Sequence, residues 1–400
     1  MILASVTVYQ RQDGTILDML RTVVDQVDLV CILLAHGQVY DPVEERAICG
    51  EKLRIGYVRP NRTSQDTAIA RNEAIAFAGS LGADWVLMVD PDERMQWREG
   101  QDHREVLAGG CESFIIKAAE GIYSKDKFMR PGTGEYRALA HEAWVPYRPH
   151  LRAQWVPGPK FSELPKDPAA LRRRDVGVIK VLRRALRTEP RNPRTHYYLA
   201  ESYVSLNRFA KAEHHYRECI SLTNWGEEAG WSNYKLAMIQ MTRGENDIAL
   251  HSCAMALCCN PGLAEAAWLA GVIRATQGRG QDAIAWSSMA IANGCAEGIQ
   301  DELPRMHFRD PKALWEAPYE TLRAVYHAMG HPERARVCVD RFRDAYQRRL
   351  AEDGGPELGP DAWQLTGYEP PEPVPDTERA PTIEPGPTAL SMECQERAAE

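Results

Sequence analysis

Between residues 175 and 350 the chain repeats itself, and the repeat restricts that half to paired helices. The segments "YYLAESYVSLNRFAKAEHHYRECISL", "YKLAMIQMTRGENDIALHSCAMALCCNP" and "AWLAGVIRATQGRGQDAIAWSSMAIAN" align with Ala212, Ala249 and Ala283 at equivalent positions, 37 and then 34 residues apart. Asn207, Gly244 and Gly278 mark a turn five residues earlier, and Ala200, Ala237 and Gly271 mark the close approach of two helices. The insert "NWGEEAG" accounts for the three extra residues after the first repeat. A fourth, degenerate pair lies at 318–350, with Gly330 and Ala335 in the same roles, and 175–188 reads as a helix leading into the array. A unit of this size cannot bury an apolar face alone, so stacking on neighbours completes its core.

The period and the small residues at the crossings resemble the tetratricopeptide repeat. That resemblance implies antiparallel helix pairs that stack into an extended concave surface able to hold a partner or an acceptor. The repeat aromatics Tyr197, Tyr198, Tyr203, Tyr216, Trp268 and Trp286 read as helix packing. His214 and His215 are adjacent, cannot share a helix face, and read as ordinary.

The first third has a different period. Apolar runs at 2–9, 27–35, 53–58, 85–89 and 113–119 alternate with amphipathic stretches, one carrying Ile16, Leu20, Val23 and Val27, another running from Asp66 to Leu81. Apolar strands alternating with helices argue for a mainly parallel sheet covered on both faces. Ligands in such sheets bind at the carboxyl ends of the strands. At one such end the run "ADWVLMVDPDERM" passes from Val89 straight into Asp90, Pro91, Asp92 and Glu93. Carboxylates that close repel one another, and a bound cation is one reason to collect them.

The stretch "TAIARNEAIAFAGSLGADWVLMVDPDE" resembles the nucleotide-sugar-binding half of glycosyltransferase family 2, which has the GT-A fold. The match runs through Ala70, Arg71 and Asn72, then Ala83, Asp84 and Trp85, then Asp90, Asp92 and Glu93. Downstream, "KDKFMRPGTGEYRALAHEAW" resembles the basic and aromatic segment of that family, ending in the pair His141 and Glu142. The resemblance implies a nucleotide-sugar donor contacted by Tyr9, Asp66, Arg71, Asn72 and Asp90. It also implies a divalent metal, Mn²⁺ or Mg²⁺, held by Asp90, Asp92 and His141, with Asp92 and Glu142 as catalytic residues and inversion at the anomeric carbon. A cation there would neutralise the leaving diphosphate, and a base must take the acceptor proton. Glu142, Glu93, Glu120 and Asp126 all remain open for that role. Two positions depart from the family pattern: "LLAHGQ" puts His36 where an acid usually ends the second strand, and the first strand ends in "YQRQDG". The donor stays open on that account.

Charge is distributed unevenly. The formal net charge is −8, yet residues 356–400 alone hold ten acids and two bases, also −8. Residues 151–194 hold twelve Lys and Arg against four acids, a local +8. The basic stretch reads as a solvated helix face or as a patch for a polyanion, which admits a nucleic-acid acceptor through residues 171–194. The tail, with nine Pro in residues 356–400, reads as disordered. The longest apolar run, "LVCILLA", is too short to span a bilayer, and the ten Cys include no C-x-x-C, which suits a reducing cytoplasm. No P-loop, G-x-S-x-G or G-x-G-x-x-G occurs, so dinucleotide and serine-nucleophile chemistries have no support.

The sequence therefore predicts four parts: an α/β GT-A domain over 1–155, a basic connector and leading helix over 156–192, an all-α tetratricopeptide-like array over 193–350, and an acidic Pro-rich tail over 354–400. The expected function is metal-dependent transfer of a sugar from a nucleotide sugar to an acceptor held near the repeats: a peptide or protein, a saccharide, or a modified DNA base. The competing expectation is a non-catalytic scaffold on a decayed transferase domain.

Overall fold

The computed structural model describes residues 1–9, 15–34, 37–38, 40–59, 67–98, 103–109, 111–119, 124–137, 143–148, 154–155, 159–164, 167–295 and 310–352. Packing divides the chain into two units, Met1–Leu222 and Thr223 onward.

The first unit opens with β1 (Leu3–Tyr9), α1 (Thr15–Val23), β2 (Leu29–Leu34), α2 (Val43–Cys49), β3 (Leu53–Tyr57), α3 (Thr67–Ser80) and β4 (Trp85–Met88). It continues with β5 (Glu93–Gln96), α4 (His103–Leu107), β6 (Ser113–Lys117), β7 (Ser124–Met129), β8 (Gly134–Arg137), β9 (Ala143–Pro146), β10 (Gln154–Trp155) and β11 (Lys160–Glu163). The seven-stranded sheet has the order β10-β6-β7-β4-β1-β2-β3. Pairing is parallel from β4 through β1 and β2 to β3, and β7 is inserted antiparallel to both β4 and β6. Two antiparallel ribbons, β5 with β11 and β8 with β9, complete the strands.

The alternation of β1 and β4 explains why both run almost wholly apolar. Leu3, Tyr9, Trp85, Leu87 and Val89 pack with α1 residues Ile16, Met19, Leu20 and Val23 on one face. Ala4, Val6, Val86 and Met88 pack with Ala70, Ala74 and Ala78 of α3 on the other. With both faces covered, no position is left for a polar side chain to reach water.

The helices α5 (Pro168–Thr188), α6 (Pro193–Ser205) and α7 (Phe209–Leu222) close the first unit. The second unit holds α8 (Gly226–Thr242), α9 (Asn246–Cys259), α10 (Ala264–Thr276), α11 (Gly280–Asn293), a short α12 (Pro311–Leu314), α13 (Ala317–Ala328) and α14 (Pro332–Glu352). Each pair turns on a residue with positive φ: Asn207 at 56°, Gly244 at 76°, Gly278 at 72° and Gly330 at 75°. These are the four turn positions picked out by the repeat, and the left-handed backbone is why Gly or Asn recurs there. Ala200, Ala212, Ala237, Ala249 and Ala283 are fully buried at the crossings. The insert after the first repeat lengthens α8 to 17 residues, against 13 in α6 and α10. Its glycines fit that role: a Cβ on Gly226 would lie 2.6 Å from Cys259 O, and one on Gly230 3.0 Å from Ala256 O.

Among the described residues no helix is long and apolar enough to cross a membrane, and the nine cysteines there are all free thiols.

Candidate functional site

The acidic turn follows β4 at the carboxyl end of the sheet. Val89 N bonds Val6 O at 3.0 Å, and Thr7 Oγ1 donates to Val89 O at 2.9 Å, so the strand is held to β1 up to the turn. Asp90 to Glu93 then form a closed four-residue turn. Glu93 N donates to Asp90 O at 3.0 Å, and Asp90 N donates back to Glu93 Oε2 at 2.7 Å. Pro91 sits at the second position, where its fixed φ suits such a turn.

The turn is held by cations from two other elements. Arg71 on α3 reaches both oxygens of Asp90 through Nη2, at 2.7 and 3.0 Å, and lies over the Tyr136 ring at 5.3 Å. Lys125 Nζ lies 2.9 Å from Glu93 Oε1, 2.8 Å from Glu163 Oε1 and 3.7 Å from Asp90 Oδ2. Lys127, two residues along β7 on the same face, pairs with Glu93 where both side chains are sealed from solvent. The β5–β11 register sets Glu93 opposite Glu163, a like-charge pair that Lys125 bridges. Burial pushes the Asp90 carboxyl up, but Arg71, then Lys125 and Lys127, outweigh it and hold that carboxyl well below the usual range. Burial lowers the Lys127 pKa, and Glu93 partly restores it.

Of the expected donor-site residues, Arg71 and Asp90 meet each other directly. Asn72 spends its amide on the backbone of β8, accepting from Tyr136 N at 2.7 Å and donating to Tyr136 O at 2.9 Å. It thereby locks the ring that Arg71 covers. Tyr9 is buried at the end of β1, edge-on to Tyr40 with ring centroids 5.8 Å apart. Asp92 sits half-buried on the turn, its carbonyl accepting from Leu164 N at 2.8 Å. Asp66, His141 and Glu142 lie outside the described residues, as do His36, Glu120 and the tail 354–400.

Two general-base candidates can be compared. Glu93 is fully enclosed and committed to two lysines, so no acceptor hydroxyl reaches it. Asp126 lies between those lysines in sequence and therefore on the opposite face of β7. Burial pushes its carboxyl up to about 7, partly offset by its own backbone amide, by Arg194 at the start of α6 and by the Trp144 backbone.

A divalent ion needs several carboxylate or imidazole donors around one point. Among the described residues no three His, Cys, Asp or Glu form such a group. Asp90 already gives both oxygens to Arg71, so the described donors do not by themselves make a metal centre. Lys125, Lys127, Tyr136 and Glu163 were not singled out from sequence. The signal was present in "SKDKFM", where a strand period places both lysines on one face.

The tetratricopeptide repeat family model matches residues 179–223, the end of α5 with α6 and α7. No curated protein matches the chain. Among solved structures, the chain is similar to MamA at 17% identity and a TM-score of 0.35, over 48% of this chain and 99% of that one. It is similar to BtubC from P. vanneervenii at 21% identity and a TM-score of 0.36, over 54% and 82% of the two chains. It is also similar to YrrB, described as a TPR protein with an unusual peptide-binding site, at 16% identity and a TM-score of 0.32, over 44% and 79%. The protein thus joins a mixed-sheet domain to an all-helical array of tetratricopeptide-type repeats, a class of repeat that generally mediates protein interactions.

Proposed function

We propose that the sheet domain binds a nucleotide sugar at the acidic turn and transfers the sugar to an acceptor held by the repeats. The observation that carries this reading is the position of the turn. β1 is flanked by β2 on one side and β4 on the other, so the order of strands reverses between β1 and β4. Open α/β sheets bind ligands at the carboxyl ends of their strands at such a reversal, and Asp90 and Asp92 follow β4 there. The resemblance to glycosyltransferase family 2 supplies the chemistry. An acceptor oxygen attacks the anomeric carbon, the bond from that carbon to the phosphate oxygen breaks, and the nucleoside diphosphate leaves with the electron pair. The acceptor proton passes to a carboxylate. By the resemblance that carboxylate is Glu142, since Glu93 is enclosed and Asp126 lies on the face of β7 opposite the lysines that hold the turn. Arg71 and Lys125 are the cations nearest the place where diphosphate charge would build. Mn²⁺ or Mg²⁺ belongs to this reading through Asp92 with His141, and no step here is routed through it.

The test is thermal stability against a panel of nucleotide sugars, with and without Mn²⁺. A ligand at about 100 times its Kd adds roughly 2.7 kcal/mol. One donor should raise the melting temperature, and Asp92→Asn should abolish that shift without lowering the basal value. The bidentate hold of Arg71 on Asp90 favours a second reading, a scaffold whose turn is a closed ion network. Silence of the whole panel, with Mn²⁺ and without it, would select it.

A further inference from the structure

We propose that the cleft between α5 and α7 is a binding site for a phosphate-monoester group, independent of the sugar-transfer reading. The open cleft has a volume of about 620 Å³. Arg183 and Arg187 of α5 face it, as do Lys211, His214 and His215 of α7, with Tyr203 of α6 among its walls, and no Asp or Glu is among its described lining residues. Arg183 and Arg187 are one helical turn apart, and so are Lys211 and His214 or His215, so each helix offers a short cationic edge. Like charges collected without a carboxylate raise the free energy of the empty fold, and an anion offsets that cost. Three permanent charges match a dianion better than a single carboxylate, and guanidinium forks match phosphate oxygens.

The wall beneath these groups is rigid. Tyr203 is 3% exposed, and the His215 ring stacks on it with centroids 5.6 Å apart and planes 7° apart. Lys211 Nζ lies 5.6 Å from the Tyr203 ring centre. His215 Nδ1 is 2.9 Å from His196 Nδ1, and His196 Nε2 is 3.2 Å from Pro190 O. A carbonyl only accepts, so a neutral His196 ring donates from Nε2 and accepts at Nδ1. His215 then donates from Nδ1, and this network assigns a bare Nε2 to it. Burial first, then His196, His214, Arg183 and Lys211, pulls the His215 pKa down to about 4. A dianion in the cleft offsets the repulsion from Arg183, Lys211 and the neighbouring histidines, and so favours a proton on His215.

The sequence pattern read the two histidines as ordinary and the arginines as a solvated helix face or a polyanion patch. The fold joins them, because α6 brings α7 back alongside α5. Arg173 and Arg184 are exposed on α5 and do not line the cleft, so they serve as the control. The experiment follows the His215 ring by NMR in the full chain. The probes are inorganic phosphate, a neutral peptide with one phosphoserine, the same peptide unphosphorylated, and a short DNA duplex. We expect saturable shifts and a raised His215 pKa with inorganic phosphate and the phosphoserine peptide only. Arg187→Gln with Lys211→Gln should weaken binding by about tenfold or more, while Arg173→Gln with Arg184→Gln should leave it unchanged. A phosphopeptide that binds tighter than inorganic phosphate names a protein as the source, and equal affinity names a small molecule. Equal loss in both variant pairs, an unmoved His215, or salt-sensitive binding of the duplex alone would overturn the site.

Discussion

Glu93 gives the acidic turn its shape: its amide and carboxylate close the turn on Asp90, and its oxygens meet Lys125 and Lys127. Removing one partner of a buried pair leaves the other uncompensated, at a cost of about 3–5 kcal/mol. Glu93→Ala should therefore lower stability by that amount in urea unfolding, and pairing Glu93→Gln with Lys127→Met should restore much of it. Asp92, half-buried on the same turn, should tolerate Asn within about 0.5 kcal/mol, which separates ligand binding from folding. Asn207 is the other informative residue. Its φ of 56° is costly for most side chains, so Asn207→Val should destabilise by about 1–2 kcal/mol and Asn207→Gly should not.

At the scale of elements, the repeat spacing predicted the turns because a left-handed residue and a small crossing residue recur at fixed offsets. Gly271 shows the constraint. A Cβ there would lie 2.6 Å from Ser287 Oγ, 3.3 Å from Ser287 N and 3.4 Å from Ala283 O. Gly271→Val should cost about 1–3 kcal/mol by forcing α10 from α11, readable as a lowered urea midpoint at constant slope. The helix expected from Asp66 to Leu81 is described as Thr67–Ser80, and the five apolar runs of the first third each contain a strand. The short strands β5 and β8 to β11 were not legible. They run two to four residues with little apolar alternation, and partner strands rather than local propensity hold them.

At the scale of the whole molecule, two groups of the first unit make stability depend on pH in opposite senses. His215 has its pKa lowered from 6.5 to about 4, so its contribution is present above pH 6.5 and lost as pH falls toward 4. Asp126 has its pKa raised from 3.8 to about 7, so its contribution is present below pH 3.8 and lost as pH rises toward 7. Between pH 4 and 6.5 the two oppose. Asp126→Asn should leave a stability that rises with pH across that window, and His215→Gln one that falls, both measurable as melting temperature against pH.

The sequence by itself determined the periods: strand and helix alternating at the front, paired helices behind, the four turn residues, and the placement of Asp90 and Asp92 at a strand end. These are local properties, set by side-chain spacing and backbone conformation. Tertiary structure alone decided what meets those residues. Arg71 lies 19 residues from Asp90, Lys125 lies 32 from Glu93, and Lys211 lies 24 from Arg187 along the chain. Such pairings depend on strand order and helix packing, and no spacing rule encodes them. The carboxylates read from sequence as a place for a cation. In the fold three of the protein's own cations, Arg71, Lys125 and Lys127, stand against them, because β7 is inserted beside β4 and α3 packs across the sheet.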